Sequence, residues 1–465
     1  MTRLATLLAG QLAPAVTGGG AGGAQSDRDG LEAVELAIRA AMLHLGGSLL
    51  EQLLAADRGH RGPNVGCGCG HEAGFVAYRA KTIHTVLGPL ALRRAWYHCP
   101  ACRHGHAPRD AQLGVAGTSA TPGLRRMIDR AGAAAPFAPA GRLLSDLAGL
   151  HVNAKRVQRT AEADGQDAAA MIEARAAAIR ARTLIPLPPA PLPDILYTAV
   201  DGTGVPMTST ETQDRPAKTA RPGLPDDGRA RTREVKLACL FTQSTLDDKG
   251  RPVRDPDSSS YLASFAPAPD FAPLVEAEAR RRGSEHIRQL VVLGDGAAWI
   301  WNLATKILPA ATQIVDIYHA REHLHALAGT LAFIVTDPQQ WLQERLDELD
   351  AGNIEAIITA AREYDLVGVK ATDRDKALHY FQTNTVRMRY AHYRQLGLFI
   401  GSGTVEAGCK AVIGQRLKLS GMRWTRPGAT GILTLRAQQA SNQWDDIWTP
   451  RHNQTPTLDL APSGT

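Results

Sequence analysis

The stretch "ILYTAVDGTGVPM" (195–207) decides the fold. Its first six residues are apolar or β-branched without a polar alternation, the pattern of a strand buried on both faces. Asp201-Gly202 then ends the run. A strand of this kind needs neighbours on both sides, and the chain downstream supplies them. "EVKLACLFTQ" (234–243) reads as a second strand and "SSYLASFA" (259–266) as a weaker third, while "IRQLVVLGDG" (287–296) and "TQIVDIYH" (312–319) are two more. Between them "FAPLVEAEARRRG" (271–283) and "WIWNLATKILP" (299–309) carry helical spacing. Strands interleaved with helices predict a mixed α/β sheet. The polar stretch 208–233 reads as a loose excursion from it.

Two acids stand at strand ends. Asp201 follows Tyr197–Val200, and Asp295 follows Leu290–Leu293. Each alone is an ordinary Asp-Gly turn. Together they gain weight, because ligands of open α/β sheets lie beyond the carboxyl ends of the strands. Adjacent carboxylates repel unless a cation neutralises them. Mg²⁺ (or Mn²⁺) suits that role, completing its octahedron with water and phosphate oxygens. Two such ions about 3.5–4 Å apart would clamp the attacking and leaving oxygens of a phosphoryl transfer. The alternative is a pair of strand-terminating turns.

A third carboxylate should come from a separate element. In "GSGTVEAGCKAVIGQRLKLSGMRW" (401–424) Glu406 is the one acid, and none follows before Gln443, whereas Lys410, Arg416, Lys418, Arg423, Arg426 and Arg436 are basic. The Gly-rich start breaks the chain, Ser402 or Thr404 can cap, and a helix running through Lys410 would carry Glu406 to the strand ends. The basic residues after it, Lys410, Arg416, Lys418 and Arg423 foremost, are candidates for phosphate contacts. Upstream, 321–395 turns helical, as in "WLQERLDELDAGNIEAIITAAREY".

The segment before 195 differs in kind. "LIPLPPAPLPD" (184–194) is a stiff Pro-rich spacer that makes a domain boundary. Ahead of it, Cys67-x-Cys69 and Cys99-x-x-Cys102 flank a β-hairpin pattern, "GFVAYRA…LALRRAWYHC". Four thiolates at such spacings fit one tetrahedral structural Zn²⁺. The short first knuckle leaves His71 as an alternative ligand, and a ribbon that has lost its metal as the bland reading. Further on, "AGRLLSDLAGLHVNAKRVQRTAEADG" (140–165) has the form of a helix-turn-helix. Leu143, Leu144 and Leu147 form an inner face, Gly149 makes the turn, and Asn153 caps a second helix. That helix bears Lys155, Arg156, Gln158 and Arg159 as candidate DNA contacts. A basic helical hairpin within a bundle is the plainer alternative.

With 465 residues, two to four domains are expected. The net charge of +6 fits a polyanionic partner without establishing one. No uninterrupted run of 18 apolar residues occurs, so no membrane partner is expected. The opening "MTRLATLLAGQLAPAVTGGGAGGA" has the ingredients of an export signal, but Gln11 and Pro14 interrupt it, and a flexible tail is the preferred reading. Residues 26–56 are helical in pattern, and the Pro/Thr-rich end from 449 reads as disordered.

The blocks "YTAVDGTGVPM", "VVLGDGAAWIWN", "VDIYHAREHL" and "GSGTVEAGCKAVIGQRLKLSGMRW" together resemble bacterial insertion-sequence transposases of the Kra type. These are DDE transposases with an RNase H-like catalytic domain, and the resemblance runs from the cysteine module to about Trp448. It implies that Asp201, Asp295 and Glu406 form the catalytic, metal-binding triad, and that Asp316-x-x-His319 is an accessory motif near the active site. The plainer reading of Asp316 and His319 is a strand-end acid and a histidine helping to cap the next helix. The compressed Cys-x-Cys and the excursion 208–233 depart from the expected pattern.

The implied fold class is multidomain α+β and α/β. A tail and N-terminal helices (1–60) precede a zinc-ribbon-like module (61–110) and a helical helix-turn-helix region (111–183). An RNase H-like mixed-sheet core follows in two parts (194–325 and 396–448), split by an all-α insertion (326–395), with a disordered tail (449–465). The implied activity is two-metal-ion cleavage and strand transfer at terminal inverted repeats of DNA, by a homodimer or larger assembly in the bacterial cytoplasm, nucleoid-associated when on DNA. Two other readings compete: a non-catalytic DNA-binding regulator, and an RNase H-like nuclease or resolvase that cuts without joining.

Overall fold

The computed structural model describes residues 24–213, 215–216 and 229–448. The N-terminal tail before 24, residues 214 and 217–228 of the polar excursion, and the tail from 449 lie outside the described residues. The chain divides into two compact units, one made of 1–160 with 448–465 and the other of 161–447.

In the first unit, helix α1 (Ala24–Ala55) precedes a four-stranded antiparallel sheet of order β1-β2-β3-β4: β1 (Asn64–Gly66), β2 (Glu72–Thr85), β3 (Gly88–His98) and β4 (Gly105–His106). Helices α2 (Pro108–Gln112), α3 (Pro122–Ala134) and α4 (Phe137–Ala148) follow, and α5 (Ala154–Arg180) begins here and continues in the second unit. Leu50 and Leu54 of α1 pack on Ile83, Leu90, Leu92 and Val115. Asp110, buried at the end of the hairpin, bonds Lys81 Nζ at 3.0 Å and Arg94 Nε at 2.8 Å, so the charge that tethers α2 is paired twice.

Two expectations change in this unit. Of the three leucines assigned to the inner face of α4, Leu144 is buried among Leu124, Ile128, Leu150 and Val157, but Leu143 and Leu147 are 42% and 77% exposed. The core instead takes Ala140 and Gly141, because the helix turns its small-residue side to its neighbours. The membrane reading also changes. Residues 30–55 of α1 are long and apolar enough by length and composition to cross a membrane, and Leu31, Ile38, Met42, Leu49 and Leu53 are exposed on it. Counting uninterrupted apolar runs overlooked this segment because Glu32, Glu35, Arg39 and Glu51 punctuate it.

The second unit is built on a mixed five-stranded sheet of order β11-β10-β5-β6-β9. Its strands are β5 (Ile195–Pro206), β6 (Thr232–Gln243), β9 (Ser260–Ser264), β10 (Gln289–Gly294) and β11 (Thr312–Val315), with a small ribbon of β7 (Thr245–Leu246) and β8 (Pro252–Val253) set apart. β5, β6 and β9 run antiparallel, while β10 and β11 run parallel to β5. Parallel pairs need crossovers, and α6 (Ala268–Arg281) and α7 (Ala298–Ile307) provide them. The central strand is buried along Ile195–Val200, as its unbroken pattern requires.

A helical block follows β11: α8 (Ile317–Leu331), α9 (Pro338–Ala351), α10 (Ile354–Arg362), α11 (Gly368–Asn384) and α12 (Tyr390–Gln395). The chain then returns to the sheet through α13 (Gly403–Gly408), a π-helical turn (Cys409–Gly414), α14 (Gln415–Leu417) and α15 (Arg426–Ala440). α13 packs on β5 and β6. Gly408 permits the approach, since a Cβ there would stand 2.5 Å from the ring of Tyr261.

Candidate active site and metal centres

Strand register brings the acids together. Leu293 of β10 is paired with Ala199 of β5, so two residues further on Asp295 comes level with Asp201. Gly294 is paired with Val315 of β11, so one residue on Asp295 also comes level with Asp316. Three aspartates therefore stand in a row across adjacent parallel strands, which lie about 4.8 Å apart. Asp295 and Asp316 follow the ends of β10 and β11, but Asp201 does not end its strand as expected, since β5 stays paired with β6 through Pro206.

They are not equivalent. Asp316 is fully buried and its oxygens are spoken for. Oδ1 accepts from Tyr318 N at 2.6 Å and His319 N at 3.0 Å, which caps α8, and Oδ2 accepts from Ser402 N. Burial works against its charge, but hydrogen bonds from His319 and Ser402 outweigh it and hold its pKa below the usual carboxylate value. Ile317 N donates to Ile400 O at 3.0 Å beside it. Asp316 thus clamps the start of α8 to the segment that leads into α13.

Asp201 and Asp295 are half-buried and open. Asp201 Oδ1 accepts from the next backbone N–H, Gly202 N, at 2.6 Å, and Oδ2 from Cys409 Sγ at 3.2 Å. Asp295 Oδ1 accepts from Ala297 N at 2.8 Å. Tyr380, on α11 of the helical block, donates to the Asp295 carbonyl at 2.8 Å and stacks on His323 of α8 at 3.6 Å between centroids. Gly296 makes room: its φ is +101°, and a Cβ would stand 2.5 Å from the Tyr380 ring.

Glu406 lies in the first turn of α13, with Ser402 Oγ 3.4 Å from its Oε1. Its carboxylate comes within 4.8 Å of ligand atoms of both Asp316 and His319. On its other side Cys409, one turn further along, touches Asp201. Glu406 is thus placed against the Asp316 end of the row, with Asp316 and His319 as its neighbours. Burial, followed by the Asp201 charge, pushes the Cys409 thiol well above its ordinary pKa, so it stays a neutral donor.

Asp316, His319 and Glu406 have the spacing of a metal triad, but their chemistry opposes it. Asp316 spends its oxygens on three backbone N–H groups. His319 Nδ1 sits 3.6 Å from Asp316 Oδ1, an ion contact longer than a hydrogen bond. The Asp316 carboxylate pushes the His319 pKa up to about 9 against the effect of burial. With no cation bound, that shift favours the protonated imidazole at neutral pH, whose proton a metal ion would have to displace.

Asp201 and Asp295 come level with each other by register, whereas Glu406 is grouped with Asp316 and His319, so among the described residues Asp201, Asp295 and Glu406 are not gathered into one ligand set. Among the described residues none of the three is ion-paired with a lysine or arginine, and a cation would relieve the repulsion between the adjacent Asp201 and Asp295.

The basic residues of 410–436 divide into two groups. Lys410, Lys418 and Arg423 are exposed, and Lys418 Nζ bonds Thr203 Oγ1, two residues beyond Asp201 on β5. Arg416 is a correction. It is fully buried, its guanidinium lies 5.1 Å over the Trp424 ring, and burial lowers its pKa to about 10, so it packs the interior and presents nothing to a phosphate. Arg436 is likewise inward, donating through Nε to Val412 O at 2.6 Å and through Nη2 to Ala411 O. These bonds satisfy carbonyls that a π turn leaves displaced from regular α pairing.

In the first unit the four cysteine sulfurs lie within 4.8 Å of one another. Cys67–Cys102 and Cys69–Cys99 are 3.5 and 3.6 Å apart, far from a disulfide bond and close to the roughly 3.8 Å edge of a tetrahedron with 2.3 Å metal–sulfur bonds. Cys67 N bonds His71 O at 2.7 Å and Cys99 N bonds His104 O at 2.9 Å, closing the two knuckles. The Cys69 thiol is lowered to about 6, first by the His71 backbone N–H. His71 Nδ1 lies 3.6 Å from Cys69 Sγ and stands outside the set of four. A metal ion fits this cluster.

In the α4–α5 region Gly149 adopts the left-handed conformation that ends α4, and Asn153 Oδ1 accepts from Arg156 N at 2.9 Å. Lys155, Gln158 and Arg159 are exposed on α5. Arg156 is partly buried and bonds Ser119 Oγ at 3.0 Å, so it serves the fold of this unit first.

Sequence reasoning missed Tyr380 and Cys409, and it placed Ser402 correctly at the N-cap without foreseeing that its backbone N–H would bond Asp316. The signals were present but indirect: Gly296 after Asp295 announces a close neighbour without naming it, and Cys409 lies three residues after Glu406, on the same helical face.

No family model matches the chain, and no curated protein matches it. Among solved structures it is similar to a Drosophila P element transposase strand transfer complex at 12% identity, covering 74% of this chain and 83% of that one, with a TM-score of 0.23. A likeness at that score decides nothing about this chain.

Proposed function

We propose that this chain is a DDE-type DNA transposase, with an RNase H-like core that cuts DNA at transposon ends and joins them to a target. The single observation that supports the reading is the strand register, which sets Asp201 and Asp295 level with each other on adjacent parallel strands, with no lysine or arginine paired to either among the described residues. The resemblance in the blocks around Asp201, Asp295 and Glu406 supports the insertion-sequence kind.

Asp201, Asp295 and Glu406 would hold Mg²⁺ or Mn²⁺, which when bound supplies charge neutralisation at the phosphate and a more acidic bound water. Everything else falls to the protein. Asp316 and Ser402 fix the approach of the Glu406 helix. Tyr380 holds the Asp295 backbone from the helical block, and Lys418 sets a positive charge beside the strand. In the first step water attacks phosphorus, the P–O3′ bond breaks, and a 3′-hydroxyl departs. In the second that hydroxyl attacks a target phosphodiester and displaces another 3′-oxygen. Each step exchanges one phosphate ester bond for another or for water, so no nucleotide cofactor is consumed. The cysteine cluster would hold a structural Zn²⁺, and Lys155, Gln158 and Arg159 would meet DNA at the inverted repeats. Two ends must be held at once, which calls for a dimer or larger assembly.

The test is Mg²⁺- or Mn²⁺-dependent nicking of duplexes bearing the element's terminal repeats, followed by strand transfer from a pre-cut end. Cleavage that is undiminished in Asp201→Asn, Asp295→Asn and Glu406→Gln would end the reading. Cleavage without joined product would convert it to a nuclease.

A further inference from the structure

Helix α1 is apolar on two sides, and its own unit takes one of them. On the inward side Leu50 and Leu54 pack on Ile83, Leu90, Leu92 and Val115, and a Cβ on Gly47 would stand 3.3 Å from Leu90. Leu43 lies toward Gly149, and Arg39 donates to the carbonyls of Asp146 and Leu147 at the end of α4. About a third of a turn round the helix stand Leu31, Ile38, Met42, Leu45, Leu49 and Leu53, each between 39% and 63% exposed. They follow one another at steps of 7, 4, 3, 4 and 4 residues, the a/d spacing that lays a seam along a helix for a second helix to fill. The seam is about 33 Å long at 1.5 Å per residue.

A helix that crosses a bilayer is apolar all round, whereas α1 is punctuated by Glu32, Glu35, Arg39 and Glu51 and rests one side on its hairpin. The seam is also self-complementary, which a two-fold interface demands. In an antiparallel pair with its axis at Met42, Leu31 meets Leu53 of the second copy. Ile38 then meets Leu45 and Gly46, and Met42 meets Met42. Charge selects this direction. Glu35 is the one acid on the stripe, and a parallel pair would set the two Glu35 carboxylates face to face. In the antiparallel pair about 21 Å of helix separates them, well beyond the ~8–10 Å over which exposed charges act in salt.

We propose that α1 is a dimerisation element, pairing antiparallel with α1 of a second copy along the seam from Leu31 to Leu53. The pairing belongs to the first unit and needs no DNA, so it goes beyond the nucleic-acid reading of the second unit and does not depend on it. It takes six large apolar side chains per copy out of water, a patch of the kind that marks a protein interface.

Full-length protein, free of DNA, is followed by sedimentation equilibrium at micromolar concentrations. Wild type should be a dimer. Met42→Glu sets two like charges on the axis and should weaken self-association on the order of 100-fold, with metal content and circular dichroism unchanged. Met42→Cys should cross-link to a second copy on mild oxidation, a positive signal that misfolding does not produce. A mixture of Leu31→Cys and Leu53→Cys proteins should cross-link between the two variants, and neither variant with itself. Self-cross-linking of Leu31→Cys would show a parallel pair and overturn the proposed arrangement. A wild-type monomer would overturn the proposal outright. If that monomer dimerises once residues 1–23 are removed, the seam belongs to the chain's own tail, and if it floats with phosphatidylcholine vesicles, to lipid. A wild-type dimer that Met42→Glu leaves intact would overturn it equally.

Discussion

The cysteine cluster of the first unit and the carboxylate row of the second are both ligand sets assembled by strands, and they differ in what surrounds them. The four thiols face one another in a closed set, with backbone N–H groups of the knuckles spent on holding it shut. Asp201 and Asp295 lie level on adjacent parallel strands, half-exposed, with no paired lysine or arginine among the described residues. A closed tetrahedral set has no coordination position left for chemistry, whereas an open edge of hard oxygens leaves room for water and phosphate. On the proposed reading, the same residue logic would give a fold-holding centre in one unit and a reacting centre in the other.

The largest effect that could break this contrast lies in the cysteine module. Cys99→Ser, or removal of metal by a strong chelator, should unfold residues 64–106. Structural zinc in small modules contributes on the order of 10 kcal/mol of binding free energy. Hydrogen exchange over β2 and β3, together with metal content, checks it. Full protection in the metal-free variant would remove the structural role.

Within the acidic row, Asp316 should behave unlike its neighbours. Asp316→Asn places an NH₂ group where Ser402 N now donates, leaving a buried donor unmet at a cost of about 1–3 kcal/mol. A fall in melting temperature accompanied by slower cleavage would mark it as the residue that positions Glu406. Unchanged stability with abolished metal binding would make it a ligand instead.

The smallest effect is a pH dependence. The His319 pKa is raised on folding to about 9, so its contribution is fully present below the unfolded value near 6.5 and is lost as pH rises through about 9. Because the side chain is partly exposed, about 1 kcal/mol is expected after solvent screening. In chelator, the wild-type melting temperature should fall between pH 6.5 and 9 by more than that of His319→Gln. Parallel curves would show that the Asp316–His319 contact is idle.

Much of the sheet was legible, because buried strands advertise themselves as apolar runs, although Asp-Gly marks the end of β10 and not of β5, which runs on to Pro206. The cysteine spacing was equally plain. What the sequence could not convey was direction. Arg416 and Lys418 are two residues apart in one basic segment, yet Arg416 turns under Trp424 while Lys418, capping the same short helix, faces solvent. Leu143 and Leu147 look like core and face outward, since the small residues of α4 make the contact. Asp316 reads as an accessory acid or as a strand-end acid beside a capping histidine, and only its hydrogen bonds show that Asp316 itself is the cap. Tyr380 reaches Asp295 from 85 residues away, across the helical block, a contact that local pattern does not encode.

The central claim is that Asp201 and Asp295 are kept together for a cation at a cost in repulsion, and the most direct test measures activity and stability on the same variants. Asp201→Asn and Asp295→Asn preserve the turn hydrogen bonds while removing one of two adjacent like charges. Metal-dependent strand cleavage should fall by on the order of 10³-fold, the equivalent of several kcal/mol of lost transition-state stabilisation. In chelator the melting temperature should stay level or rise, as the repulsion is relieved. Cleavage retained in either variant, or a melting temperature that falls in step with activity, would contradict the account.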